Sequence, residues 1–281
     1  MVTGSDPLVS ATWLKQAIQD PELKILDATW VAPFLDLPET GHSRFMAQHI
    51  PGAQFFDIDT ICDPETSLSH MLPTPDQFSR QVEQLGVSSG DRVVIYDSQS
   101  FFASARAWWM FRGMGFEAVQ VLDGGWSAWR AIGGEQDNRV QSPVKGTFEA
   151  TFRPELVRDM AAMRAHISAG DTAILDARPP ARFAGTAPEP RPQLPSGHMP
   201  GSVCVPGGTL IEADGRMKSA DALRPLLGDY LDMPVVTSCG SGVSAAVIAL
   251  ALARLGQHGA ALYDGSWSEW AAHPNNPIMV T

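Results

Sequence analysis

Positive charge is scarce in this chain of 281 residues: 20 Lys and Arg stand against 31 Asp and Glu, a formal charge of −11. Without a basic patch there is no electrostatic footprint for nucleic acid, and without a run of Lys or Arg none for a membrane surface. Long apolar runs are missing too. The longest, Ala245 to Ala253, is nine residues, less than half of the ~20 that a membrane-spanning helix needs. The N-terminus, MVTGSDPLVSATW, has neither a basic start nor an apolar signal segment, so a cytoplasmic location is expected. Three cysteines, at 62, 204 and 239, are too few and too scattered for a disulfide framework or a zinc site. What is there, 44% hydrophobic and 18% charged residues, describes a soluble globular protein long enough for two domains.

The sequence repeats. KILDATW (24–30) followed by HIPGAQFFDID (49–59) returns as AILDARP (173–179) followed by GHMPGSVCVP (197–206). Asp27 lies over Asp176 and His49 over His198, both at an offset of 149. RVVIYD (92–97) lies over PVVTSC (234–239) at 142, and LDGGWSAW (122–129) over YDGSWSEW (263–270) at 141. Four anchors in the same order make the chain two copies of one unit. The boundary falls in the polar, Gly- and Pro-punctuated segment 133–152. The expected division is an N-terminal unit over 1–139, a linker over 140–152 and a C-terminal unit over 153–281.

Each copy alternates short apolar runs with helical patterns. KILDA, AQFFDI, RVVIYD and AVQVLDG predict strands. ASARAWWMFRGMG (103–115) and SAAVIALALARLG (244–256) predict helices, each closed by a Gly suited to the C-cap. The second is apolar nearly all round, as a helix buried against a sheet would be. Such alternation implies an α/β unit with a mainly parallel sheet, whose ligands collect at the C-terminal ends of the strands.

Features shared by both copies read as scaffold: the paired His49 and His198 in H-x-P-G turns, and the paired Trp residues of the D-G-[GS]-W turns. Features found in one copy are candidates for chemistry. After the strand RVVIYD the first copy has Asp97; the second has Cys239, followed by GSGVS. Gly240 and Gly242 relax the turn, and a turn of this kind aims successive N–H groups inward as an anion-binding nest. The start of the next helix adds to that field, a setting that favours the thiolate, the reactive form of Cys. Cys62 and Cys204 have no such setting and are expected to be inert.

Three other chemistries use loops of related form. Gly240-x-Gly242-x-x-Ala245 fits a dinucleotide fingerprint, with Asp264 placed 24 residues beyond Gly240. Only 17 residues follow Asp264, too few for the strand–helix units that fold needs. A Cys-based phosphatase would place Arg six residues after the Cys, and position 245 is Ala. A metal site would need His or Cys ligands nearby, and none is adjacent in sequence.

Two copies of an α/β unit with a reactive Cys in the second resemble the tandem-domain sulfurtransferases, the rhodaneses and 3-mercaptopyruvate sulfurtransferases. The resemblance runs from Trp13 to about His273 and implies two tandem rhodanese-like domains. Thiosulfate enzymes of that family carry a cationic loop of the form CRKGVT. The mercaptopyruvate enzymes carry CGSGVT, and this chain reads CGSGVS, with Ser244 keeping the hydroxyl of Thr. The resemblance implies a persulfide on Cys239, held by the loop from Gly240 through Gly242 and Val243 to Ser244. It implies that Arg182 and Arg191, in the Pro-rich segment 181–198, bind the donor's carboxylate and keto oxygen. It also maps a relay of Asp59, His70 and Ser241, of which Asp59 and His70 lie in a stretch where the first copy has seven extra residues.

The implied function is transfer of sulfur from 3-mercaptopyruvate to thioredoxin, a small thiol or cyanide, with pyruvate released and no metal or organic cofactor. Thiosulfate as donor is the nearest alternative. A non-catalytic rhodanese-like binding module is the alternative from another class. Arg178, nearer its strand end, is expected to make a structural pair, and the Asp97 loop to close the interface between the copies.

Overall fold

The computed structural model describes residues 6–281. The chain divides into two compact units. Unit 1 comprises residues 1–65, 72–153 and 212–217, and unit 2 comprises 66–71, 154–211 and 218–281.

Unit 1 contains β1 (Leu8–Val9), β2 (Leu23–Asp27), β3 (Gln54–Phe55), β4 (Arg92–Tyr96) and β5 (Val119–Leu122). They form one all-parallel sheet in the order β1-β5-β4-β2-β3. Its helices are α1 (Ala11–Ala17), α2 (Gly41–Ala47), α3 (Pro75–Gln84), α4 (Ser104–Gly113) and α5 (Gly125–Ala131). Unit 2 repeats the plan with β6 (Val157–Arg158), β7 (Ala173–Asp176), β8 (Ser202–Cys204), β9 (Val235–Ser238) and β10 (Ala261–Tyr263). Their order, β6-β10-β9-β7-β8, is that of unit 1 element for element, again all parallel. The helices here are α6 (Met160–Ala169), α7 (Pro180–Phe183), α8 (Ala220–Leu227), α9 (Ala245–Arg254) and α10 (Ser266–Trp270).

The two predicted helices are α4 and α9. Gly115 and Gly256 follow their ends with φ of 80° and 96°, where a side chain would be strained. All nine apolar residues Ala245–Ala253 of α9 are buried, which is why this helix lacks a polar face. The paired residues also serve as scaffold. His49 Nδ1 lies 2.8 Å from the Phe45 carbonyl and its ring stacks on Phe45; His198 does the same with Phe183 at 2.9 Å. Trp129 and Trp270, both buried, donate their indole N–H to the carbonyls of Glu135 and Pro277.

Segment 140–152, expected as a linker, packs along unit 1 instead. Phe148 is buried among Phe78, Phe111 and Phe116, and the N–H groups of Thr147, Ala150 and Thr151 donate to Ser88, Ser79 and Met114. Irregular backbone without periodicity leaves no trace in a pattern, yet an aromatic anchor together with these backbone hydrogen bonds docks it.

The strand-end acids part company. In unit 2 the β7 carboxylate of Asp176 meets Arg178; the matching position in unit 1 is Thr29, and among the described residues Asp27 has no cation beside it. Burial outweighs the hydrogen bonds from Thr29 and Tyr96 and pushes the Asp27 pKa up to about 6. An unfolded Asp titrates near about 4, so the folded state binds the extra proton between those values. Stability from this group is complete below about pH 4 and is lost as pH rises through about 6. Asp27→Asn keeps the acceptor oxygen and removes the charge. It is expected to raise stability at pH 7 by on the order of 2 kcal/mol and to flatten the pH 4–6 slope in urea titrations.

Candidate active site

In a parallel sheet the C-terminal strand ends gather on one edge, and in unit 2 that edge holds Asp176, Cys204 and Ser238 at the ends of β7, β8 and β9. Cys239 follows Ser238 directly and is buried at 2% exposure. Its N–H donates to Ser266 Oγ at 3.2 Å, and its carbonyl accepts from Trp267 N–H at 2.9 Å. Gly240's carbonyl accepts from both Ser268 N–H (2.9 Å) and Ser268 Oγ (2.6 Å). The D-G-S-W-S turn therefore clamps the base of the Cys loop. The loop then turns at Gly242, whose φ is +75°, and enters α9 after Ser244. Val243 is buried, while Gly240, Ser241 and Ser244 are half-buried.

Unit 1 supplies the comparison. Asp97 follows β4 as Cys239 follows β9, and its carbonyl accepts from Trp126 N–H at 2.9 Å, the same clamp. The Asp97 carboxylate is directed into its own loop. Oδ1 accepts from the N–H groups of Gln99 (2.9 Å) and Phe101 (3.2 Å), and Oδ2 from those of Ala103 (3.0 Å) and Ser104 (2.8 Å). Four amides of a strand-to-helix turn thus converge on one anion, as such nests do. That carboxylate role was not visible in the sequence, where the loop was expected only to close an interface.

The arginines of the Pro-rich loop have different settings. Arg178, 1% exposed, donates to both oxygens of Asp176, to Glu189 Oε1 at 2.8 Å and to the Gly197 carbonyl at 2.8 Å, and it lies over the Trp267 ring. Burial alone would lower its pKa; hydrogen bonds and charge from Asp176 and Glu189 outweigh that and hold it above its ordinary value. This is the structural pair expected of it. Arg182, on α7, donates from Nε to Glu189 Oε2 at 3.1 Å and pairs with the same oxygen through Nη2. That Nη2 lies 3.2 Å from where a Cβ on Gly240 would sit, so Arg182 borders the Cys loop and Gly240 makes room for it. Arg191 is half-buried and makes no ion pair with a described residue.

The members of the expected relay are distributed over both units. Asp59 belongs to unit 1, where Oδ2 accepts from the Trp30 indole N–H at 2.7 Å. His70 is buried, has a φ of +66°, and lies in the 66–71 segment counted with unit 2. Ser241 is in unit 2. Sequence reasoning missed Glu189 and Ser266. Ser266 had a signal: it replaces Gly125 of the sister turn while keeping a left-handed φ of +49°. A serine held there needs a reason, and its hydroxyl bond to the Cys239 amide is one.

The rhodanese-like domain family matches residues 10–132 and 159–273. The chain belongs to that family, with two copies of its domain. Over 273 residues it is 39% identical to the 3-mercaptopyruvate sulfurtransferase of Escherichia coli, covering 96% of each chain. It is also 39% identical over 303 residues to the mitochondrial thiosulfate/3-mercaptopyruvate sulfurtransferase 1 of Arabidopsis thaliana, covering 99% of this chain and 79% of that one. The crystal structure of SseA from Escherichia coli superposes with a TM-score of 0.85 at 36% identity, over 94% of this chain and 99% of that one.

Proposed function

We propose that this protein is a sulfurtransferase that moves the sulfur of 3-mercaptopyruvate to a thiol acceptor through a persulfide on Cys239. The observation that carries the reading is the exchange of one residue between two equivalent turns. Unit 1 sets the Asp97 carboxylate against four amides of its turn, and at the equivalent position, held by the same backbone clamp, unit 2 has the Cys239 thiol.

The chemistry follows in two steps. The Cys239 thiolate attacks the donor's sulfur, an S–S bond forms, and the C–S bond breaks with its electron pair passing into the carbonyl. The product carbon is the enolate of pyruvate; the proton that leaves the persulfide balances the one that the enolate takes up. Arg182 and Arg191 hold the donor's carboxylate and keto oxygen, and the planar guanidinium suits both. The outer, anionic sulfur rests against the amides of the 240–244 loop until a thiolate acceptor or cyanide attacks it and frees Cys239. Thioredoxin or a small thiol fits that acceptor role. For the relay of Asp59, His70 and Ser241, the expected sign is a fall in kcat with little change in KM on His70→Ala.

Thiosulfate is the second donor to consider, because the Arabidopsis relative carries both donors in its name. The test is kcat/KM for each donor with and without Arg182→Ala. The 3-mercaptopyruvate value should be the larger, and Arg182→Ala should lower it by about 30–100-fold, the loss of one charge-assisted bidentate contact. A preference for thiosulfate, with Arg182→Ala silent, would contradict the assignment.

A further inference from the structure

Glu189 has no part in the reaction as described, yet it touches Arg182, which borders the Cys loop. It is a buried carboxylate, 7% exposed, set between two guanidiniums: Oε1 receives Arg178 and Oε2 receives Arg182. Arg178 already has Asp176 as a carboxylate partner through Nε and Nη2, and Glu189, bonded to its Nη1, is its second. For Arg182, Glu189 is the one ion-pair partner among the described residues.

Two consequences follow for the donor site. Glu189 grips the Nε–Nη2 edge of Arg182 and so fixes that guanidinium beside Gly240. It also sets the charge. From the β7 end through the 178–191 loop, Asp176 and Glu189 cancel Arg178 and Arg182, and Arg191 is left over. Apart from the Cys239 thiolate itself, the loop CGSGVS adds no charged side chain. The single positive charge left over in the 176–191 segment matches one carboxylate.

We propose that Glu189 is a positioning and specificity-determining residue, which seats Arg182 beside Gly240 and cancels its charge so that the site favours a monoanionic donor over a dianionic one. The inference rests on the donor reading above. A net charge added beside the Cys loop attracts a dianion twice as strongly as a monoanion, so the two donors separate the roles.

Glu189→Gln keeps the shape and one acceptor oxygen but removes the negative charge. The ratio of kcat/KM for thiosulfate to that for 3-mercaptopyruvate should rise about tenfold. Glu189→Asp keeps the charge and loses the reach; both values should fall while their ratio stays within about twofold. Because both donors are read on one sample, the ratio is independent of the active fraction. An unchanged ratio in Glu189→Gln, or an equal shift in Glu189→Asp, would overturn the proposal. If the unaltered enzyme prefers thiosulfate, the donor reading fails, whereas a further rise in Glu189→Gln would still support the charge role. Should neither variant be active, protection of Cys239 from iodoacetamide decides. Relative to pyruvate, sulfate should protect Glu189→Gln at lower concentration than it protects the unaltered protein, and an unchanged sulfate-to-pyruvate ratio would overturn the proposal.

Discussion

Cys239→Ser is expected to lower turnover by at least about 10⁴-fold with either donor, the scale of loss seen when a covalent nucleophile is removed. Oxygen is close to sulfur in size and the bonds that hold position 239 run through its backbone N–H and carbonyl, so the fold should persist. The other thiols offer no substitute. Burial, then the charges of Asp59, Asp57 and Asp63, push the Cys62 thiol up, and burial followed by Asp176 does the same for Cys204. Both stay protonated at neutral pH and are poor nucleophiles. Activity that survives in Cys239→Ser, or that falls comparably in Cys62→Ala, would contradict the assignment.

Asp97→Ala is expected to destabilise unit 1 by about 3–5 kcal/mol, although residue 97 has no place in the reaction. The substitution leaves four amide N–H groups of the 99–104 stretch without their acceptor at a site 1% exposed. It also removes what holds Ser100 and Phe101 at φ of 56° and 71°, a conformation that costs a non-glycine residue of order 1 kcal/mol or more. Asp97→Asn should recover only part, because its amide nitrogen would face donors rather than accept from them. Urea denaturation followed by circular dichroism reads the loss directly. A change below about 1 kcal/mol would mean that the loop keeps its shape without the anion.

The repeat was legible because its anchors are residues with few substitutes. A strand-end acid, an H-x-P-G turn and a D-G-[GS]-W turn each carry a fixed backbone demand, so both copies retain them, and both sheets have one strand order. Cys239 was legible for the same reason, as the exception in a matched pair. The two-residue strands β1 and β6 were not, since neither lies in a longer apolar run; β3, equally short, was legible only through the run AQFFDI around it. Glu189 was hidden by its surroundings: a carboxylate in a Pro-rich stretch reads as solvated, and only the fold brings Arg178 and Arg182 to it. The Asp97 nest was hidden differently, because its partners are backbone amides that no sequence pattern names.

Whether Cys239 carries the transferred sulfur is decided most directly by the mass of the protein after 3-mercaptopyruvate is supplied with no acceptor. One added sulfur atom is expected, located on the peptide that bears Cys239 and removed by cyanide with return of the original mass. An unmodified Cys239 peptide, or sulfur found instead on the peptides of Cys62 or Cys204, would contradict the account.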